Sequence, residues 1–172
     1  YSKEQKDWWE KHRPLGIMIE NHQDARPQSG ISFSDVTYEA IAESGITRTL
    51  NVYYCQDAGI IGPVRSARTY FLDFISEYGD YPLYAHVGGA NTPGPADALG
   101  EISDLGWKGA NDMDNFGVSL PVYKRLADRL PNRDFEHTVY AYPNEMWKYA
   151  AEKRNFTNVD EDGVQIDLKA QT

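Results

Sequence analysis

The chain has 172 residues, 41% of them hydrophobic, enough for one domain with a real core. A formal charge of −9 argues against a nucleic-acid partner, because a phosphate backbone demands a broad basic surface. It leaves room for a small anion, since a few clustered arginines create a local positive field inside an acidic protein.

Tyrosine is unusually common, with 12 residues against 4 Trp and 6 Phe, so many rings are expected half-buried with the hydroxyl on a polar partner. The one cysteine, Cys55, follows the apolar run Leu50-Asn51-Val52-Tyr53-Tyr54 and reads as a buried structural thiol. It forms no internal disulfide and leaves the compartment open. No apolar stretch is long enough to cross a bilayer. The start, Tyr1-Ser2-Lys3-Glu4, shows no signal peptide and reads as an artificial or a mature-chain boundary.

In chain order, residues 1–13 are charged around Trp8 and Trp9 and read as a short helix or arm. Leu15-Gly16-Ile17-Met18-Ile19 is a compact apolar run, which predicts a buried strand with Glu20, Asn21 and His22 at its C-terminal end. Residues 21–34, with Pro27 and Gly30, predict a loop. Strands over 35–42 and 46–55 flank Glu43-Ser44-Gly45 as a hairpin. After a turn at Gly59, the spacing of Tyr70, Phe71, Phe74, Ile75 and Tyr78 predicts a helix from Ser66 that stops at Gly79. Residues 82–87 predict a strand, 96–105 a helix and 106–117 irregular chain. Residues 119–130 have helical character, with Pro121 tolerated in the first turn. A strand over 138–142, a helix over 144–154 capped by Asn144, and a polar linker or strand from 157 complete the chain. The expected fold is α/β: a mixed sheet flanked by helices in a two- or three-layer sandwich.

Chemistry concentrates at Gly62-Pro63-Val64-Arg65-Ser66-Ala67-Arg68, where a strand is expected to turn into a helix. Free amides at a helix start and the planar donors of Arg65 and Arg68, with Ser66 between them, suit a phosphate or carboxylate. Cations at a helix start need a compensating anion. That anion is either a ligand or one of Glu20, Asp24, Asp35 and Glu39. Glu20-Asn21-His22 through Asp24 and Arg26 lies at a strand's carboxyl end, where α/β folds bind ligands. Arg48 sits near a turn, and His86 ends a strand before Gly88 and Gly89. Zinc spacing and a Gly-x-Ser-x-Gly elbow are absent. Asn111 to Gly117 resembles the opening of a calcium loop, but Phe116 and Tyr123 occupy ligand positions, so it reads as a solvated turn.

These motifs, in this order, resemble the N-terminal domain of YerB-like bacterial lipoproteins, a domain of unknown function. The likeness is carried by Ile19 to His22, Asp24 to Gly30, Ser34 to Glu39, Gly45 to Arg48, Gly62 to Arg68 and His86 to Gly89, within residues 13–154. It implies an extracytoplasmic protein held to the membrane through a lipidated cysteine upstream of this chain, and a C-terminal domain beyond it. The division it suggests is an arm over 1–13, the YerB-like domain over 14–156 and a linker over 157–172. Family members commonly have Glu-Gly-Gly where this chain has Glu43-Ser44-Gly45, and His-Asn where it has His137-Thr138. The second departure argues against a role for His137.

The order of elements is also similar to the LytR-CpsA-Psr phosphotransferases. That likeness implies Arg26, Arg48, Arg65 and Arg68 around a polyprenyl pyrophosphate, with Asp24 or Asp35 holding a divalent metal such as magnesium. Three functions follow. The first is binding of an anionic small molecule or lipid-linked envelope component in an arginine-lined cleft, using those arginines with Glu20, Asn21, Ser66 and His86. The second is a metal-assisted phosphotransferase, and the third is a protein–protein module built on the aromatic excess.

Overall fold

Leu15–Glu20 forms strand β1, and all six of its residues are buried because it runs through the middle of the main sheet. The computed structural model describes residues 2–79, 82–118 and 120–156, so the polar segment expected over 157–172 lies outside them. The sheet has five strands: β1, β2 (Val36–Glu43), β3 (Ile46–Tyr53), β4 (Leu83–His86) and β5 (Asp112–Asp114), in the order β2-β3-β1-β4-β5. β3 pairs antiparallel with both β2 and β1, whereas β1–β4 and β4–β5 are parallel. The sheet is therefore mixed, as expected.

The β2–β3 hairpin closes through Ser44 and Gly45 at φ 50° and 78°, the left-handed pair that a two-residue turn between twisted strands requires. β2 is an edge strand, and its register shifts by a bulge between Ile41 and Glu43.

Helices cover both faces, giving three layers. Leu15, Ile17 and Ile19 of β1 pack with Met146, Trp147 and Ala150 of a helix over Pro143–Arg154. Met18, with Leu50 and Val52 of β3, packs on the other side against Phe71, Leu72 and Ile75 of a helix over Thr69–Ser76. Ala98 and Ile102 of a further helix, Ala98–Asp104, join that layer. Each such fully buried aliphatic or aromatic side chain contributes about 2 kcal/mol. Gly16 permits the close approach, since a Cβ there would stand 2.6 Å from Ile75 Cδ1. The N-terminal arm is a helix, Lys3–Trp9, opened by a capping box between Ser2 and Gln5. Among the described residues, no helix is long and apolar enough to cross a membrane.

Four local expectations change. The helix predicted from Ser66 starts at Thr69. β1 and β4 pair only over 15–17 and 83–85, and the extended chain before Thr69 enters the gap between their ends. Arg65 N donates to Met18 O, Glu20 N to Pro63 O, Val87 N to Arg65 O and Ala67 N to Gly88 O. These sheet-like bonds outcompete the first helical turn. Helical character over 119–130 gives way to a strand, β6 (Tyr123–Arg125), paired with β7 (Val139–Ala141), and a 3-10 turn over Ala127–Arg129. β5 lies within the stretch expected to be irregular. Asn144 is inside the last helix rather than its cap; it donates to Asp57 Oδ2 at 2.6 Å, and Tyr142 holds the cap position.

Candidate functional site

The C-terminal end of β1 delivers Glu20, Asn21 and His22 to one place. Glu20 is 6% exposed, and its two oxygens are divided between two partners. Oε2 accepts from His137 Nδ1 at 2.8 Å and Oε1 faces Arg65 Nε at 3.3 Å. Arg65 Nη2 reaches Glu136 Oε2 at 2.9 Å, and Glu136 Oε1 stands 3.6 Å from His137 Nε2. Glu20, His137, Glu136 and Arg65 thus form a closed ring of alternating acids and bases. The hydrogen bond and charge of Arg65 hold the Glu136 carboxyl below its usual value.

His137 ends a 3-10 turn, Phe135–His137, and is itself buried. Its ring stacks on that of His22, with centroids 5.5 Å apart and planes 4° off parallel. His22 opens another 3-10 turn, Gln23–Ala25, and its Nδ1 accepts from the Asp24 amide at 3.1 Å. Asp24 Oδ1 takes Arg133 Nη1 at 3.0 Å. One ligand atom from each of His22, Asp24 and His137 lies within 4.8 Å of the others, which is the grouping among the described residues that could hold a metal ion.

Asn21 is the hub of the adjoining loop. Its Nδ2 donates to Thr47 Oγ1 at 2.7 Å and to Glu39 Oε1 at 3.1 Å. Its Oδ1 accepts from Arg26 Nη2 at 2.8 Å, from Arg26 Nε at 3.1 Å and from Gln28 Nε2 at 2.8 Å. Asn21, His22, Gln23, Arg26, Gly45, Ile46 and Thr47 line a cavity of about 320 Å³.

The four expected arginines do not act alike. Arg48, 5% exposed, donates to Glu43 Oε2 at 2.9 Å and to Ser66 O at 3.0 Å. Burial, and then the nearby charge of Arg65, pull Arg48 below the usual arginine value. Arg68 Nη2 pairs with the other oxygen of Glu43, and its Nη1 donates to Ala67 O at 2.6 Å. One carboxylate therefore ties the hairpin to the entry of the following helix. Ser66 enters this network through its carbonyl. Arg65 and Arg68 do not frame an open helix start, because the helix begins later and glutamates already compensate both charges. Arg26 is the exception: it is exposed and, among the described residues, has no carboxylate partner.

Two further expected site residues have structural positions. His86 is fully buried, with Nε2 2.9 Å from Asp112 Oδ1 and Nδ1 2.8 Å from Gly88 O, so neither nitrogen faces a ligand. Asp35 Oδ2 accepts from the amides of Tyr54 and Cys55 at 2.7 and 2.9 Å, which fixes the end of the hairpin. The arginine clamp implied by the phosphotransferase likeness is accordingly not assembled, and of its two candidate metal-holding carboxylates Asp35 is taken up by backbone amides. Cys55 lies beyond β3, partly exposed rather than buried; partial burial and Asp35 push its thiol up to about 11.

Sequence reasoning missed Glu43, Glu136, Arg133 and His137, and it left His22 out of the site. Glu43 carried a usable signal, an acid at a hairpin turn within reach of Arg48. His137 has no such signal, since His137-Thr138 departs from the His-Asn common among YerB-like domains.

A family model described as "Protein of unknown function (DUF3048) N-terminal domain" matches residues 2–157. The chain is 41% identical over 78 residues to "Putative lipoprotein YerB" of Bacillus subtilis (strain 168), covering 45% of this chain and 23% of that protein. The crystal structure of YerB from Bacillus subtilis matches with a TM-score of 0.67 and 32% identity, over 86% of this chain and 46% of the solved one. The chain thus spans less than half the length of these relatives. With a matching family model over nearly its whole length and a similar solved fold, the chain belongs to the family of proteins of unknown function (DUF3048), whose N-terminal domain it represents.

Proposed function

We propose that the domain binds a small phosphate- or carboxylate-bearing ligand of the cell envelope in the cavity at the end of β1. The observation that carries this reading is Arg26, an acid-free guanidinium on the cavity wall, pre-oriented by Asn21 through Nε and Nη2. A fixed planar donor loses little freedom on meeting a planar anion, which favours arginine in such a role. Arg48, Arg65 and Arg68 serve as the frame behind it. The lipoprotein name of the Bacillus subtilis relative supports an extracytoplasmic, membrane-tethered location for the whole protein.

The test is a calorimetric titration of the tag-free protein with phosphate, pyrophosphate and a dicarboxylate. Arg26→Ala should weaken binding of the best of these by at least tenfold, the scale of a lost charge-assisted bidentate contact. Melting without ligand should stay within a degree or two, because Arg26 is exposed. Equal affinity in wild type and variant would remove Arg26 from the site. A protein-contact role is the second reading, favoured by the exposure of Phe116, Leu120 and Phe135. It is the reading that stands if no anion binds.

A further inference from the structure

We propose that His22, Asp24 and His137 bind a single late first-row divalent cation, with zinc as the reference case. The three residues adjoin the anion cavity, whose wall includes His22 but neither Asp24 nor His137.

One ligand atom from each of the three residues lies within 4.8 Å of the others, and neighbouring groups fix which atoms of His137 and Asp24 stay available. Glu20 accepts from His137 Nδ1, so a neutral His137 ring carries its lone pair on Nε2, which stands 3.6 Å from Glu136 Oε1 and would turn from that carboxylate to meet an ion. A carboxylate behind a histidine is the outer-shell arrangement that fixes the tautomer of a metal-ligating imidazole and raises its basicity. Arg133 occupies Asp24 Oδ1, which leaves Oδ2, and Oδ2 lies 3.7 Å from His22 Nδ1. Donors bound to tetrahedral zinc stand roughly 3.4 Å apart. That pair is nearly at coordination spacing, and the set, all within 4.8 Å, needs a shift of roughly an ångström to close on an ion. His22 Nδ1 accepts from the Asp24 amide, so coordination there replaces a hydrogen bond that caps one short turn.

The donor set decides the class of ion. Two imidazoles and one carboxylate suit zinc, cobalt, nickel or copper, whereas magnesium and calcium prefer oxygen ligands. Two histidines and one carboxylate also leave a fourth position open to water or an anion. The site is reachable: the side chains of His22 and Asp24 are 31% and 41% exposed, while His137 and Glu20 form its buried floor.

The experiment is a titration of the tag-free chain with zinc, and with cobalt to read d–d absorption, in a buffer without coordinating anions. A Cys55→Ser background removes the thiol as an alternative ligand. One equivalent of zinc should bind, and cobalt should give the intense visible bands of a low-symmetry site. His22→Ala and Asp24→Asn should each weaken zinc by at least tenfold. Both positions are partly exposed, so retained circular dichroism will show that these variants fold, even if His137→Ala does not. Glu20→Gln should weaken zinc by about tenfold, the usual effect of an outer-shell change. Affinity should fall on acidification, because the imidazoles must bind as free bases. Zinc affinity unchanged in both His22→Ala and Asp24→Asn, or no bound equivalent in the parent chain, would overturn the site. Magnesium binding as tight as zinc would overturn the ion class.

Discussion

Glu20→Ala is expected to destabilise the domain by about 3 kcal/mol, the cost of removing one partner from a largely buried ionic network. Glu20 serves His137 and Arg65 at once, and its side chain is only 8% exposed. Its loss leaves the His137 ring, at 4% exposure, without its acceptor, and leaves Arg65 with Glu136 alone. For a chain of this length, such a loss lowers the melting temperature by about 10 °C. Glu20→Gln should cost less, because an amide oxygen still accepts from His137 Nδ1, although its NH2 then faces the Arg65 Nε donor. Chemical denaturation of both variants measures the difference. The Glu20→Ala and Arg65→Ala changes should also be strongly non-additive, since each removes the same contact. A loss under about 1 kcal/mol for Glu20→Ala would mean that the ring is solvated and contributes little.

Gly30→Ala is expected to cost a similar amount, about 3 kcal/mol, for a different reason. Gly30 sits at φ 82°, and a Cβ there would stand 2.7 Å from both Ile60 O and Ile61 Cγ1. The left-handed conformation alone costs an ordinary residue about 1–2 kcal/mol, and a backbone oxygen cannot move aside as a flexible side chain would. Gly30 O also accepts from Tyr53 Oη at 3.1 Å and from the Phe33 amide, so the shift would spread into the loop that carries the site. Gly45→Ala is the matched control. Gly45 has φ 78° but nothing within 4 Å of its Cβ position, so only the conformational part remains. Denaturant midpoints for the pair separate strain from collision. Equal losses at the two positions would show that the collision is relieved.

Local signals in the sequence were strong enough to reveal most of the frame. The run from Leu15 to Ile19 has the unbroken apolar character of a central strand, and Ser44-Gly45 supplies the turn chemistry of a hairpin. The signals failed where distant chain supplied the competing bonds. Arg65 to Ala67 look like the first turn of a helix because Tyr70, Phe71 and Phe74 follow at helical spacing. Only the gap between the ends of β1 and β4 shows why they stay extended. Likewise, Tyr123 to Arg125 find a strand partner in Val139–Ala141, which no local pattern contains.

The site was legible in the same uneven way. Asn21 and Arg26 are five residues apart and were visible as one polar loop after a strand. Glu20 and His137 are separated by 117 positions, and no spacing rule connects them. Arg65 and Arg68 raise the question of a counter-charge in the sequence, and Glu20 is among the acids that could supply it. Glu43 and Glu136 supply the others. Residue type showed that compensation was needed, whereas topology alone determines which acid supplies it.

The shape of β2 bears on how copies of this protein behave when crowded. An outer strand presents unsatisfied amides and carbonyls that invite another chain to add on, the first step toward domain exchange or fibre growth. Here the register fault between Ile41 and Glu43 disturbs that template just where Ile41 is most exposed. Glu39 places a carboxylate on the same margin, so two copies meeting edge to edge would mismatch in register and bring like charges together. A straight, neutral margin would turn the same fold into a self-associating one.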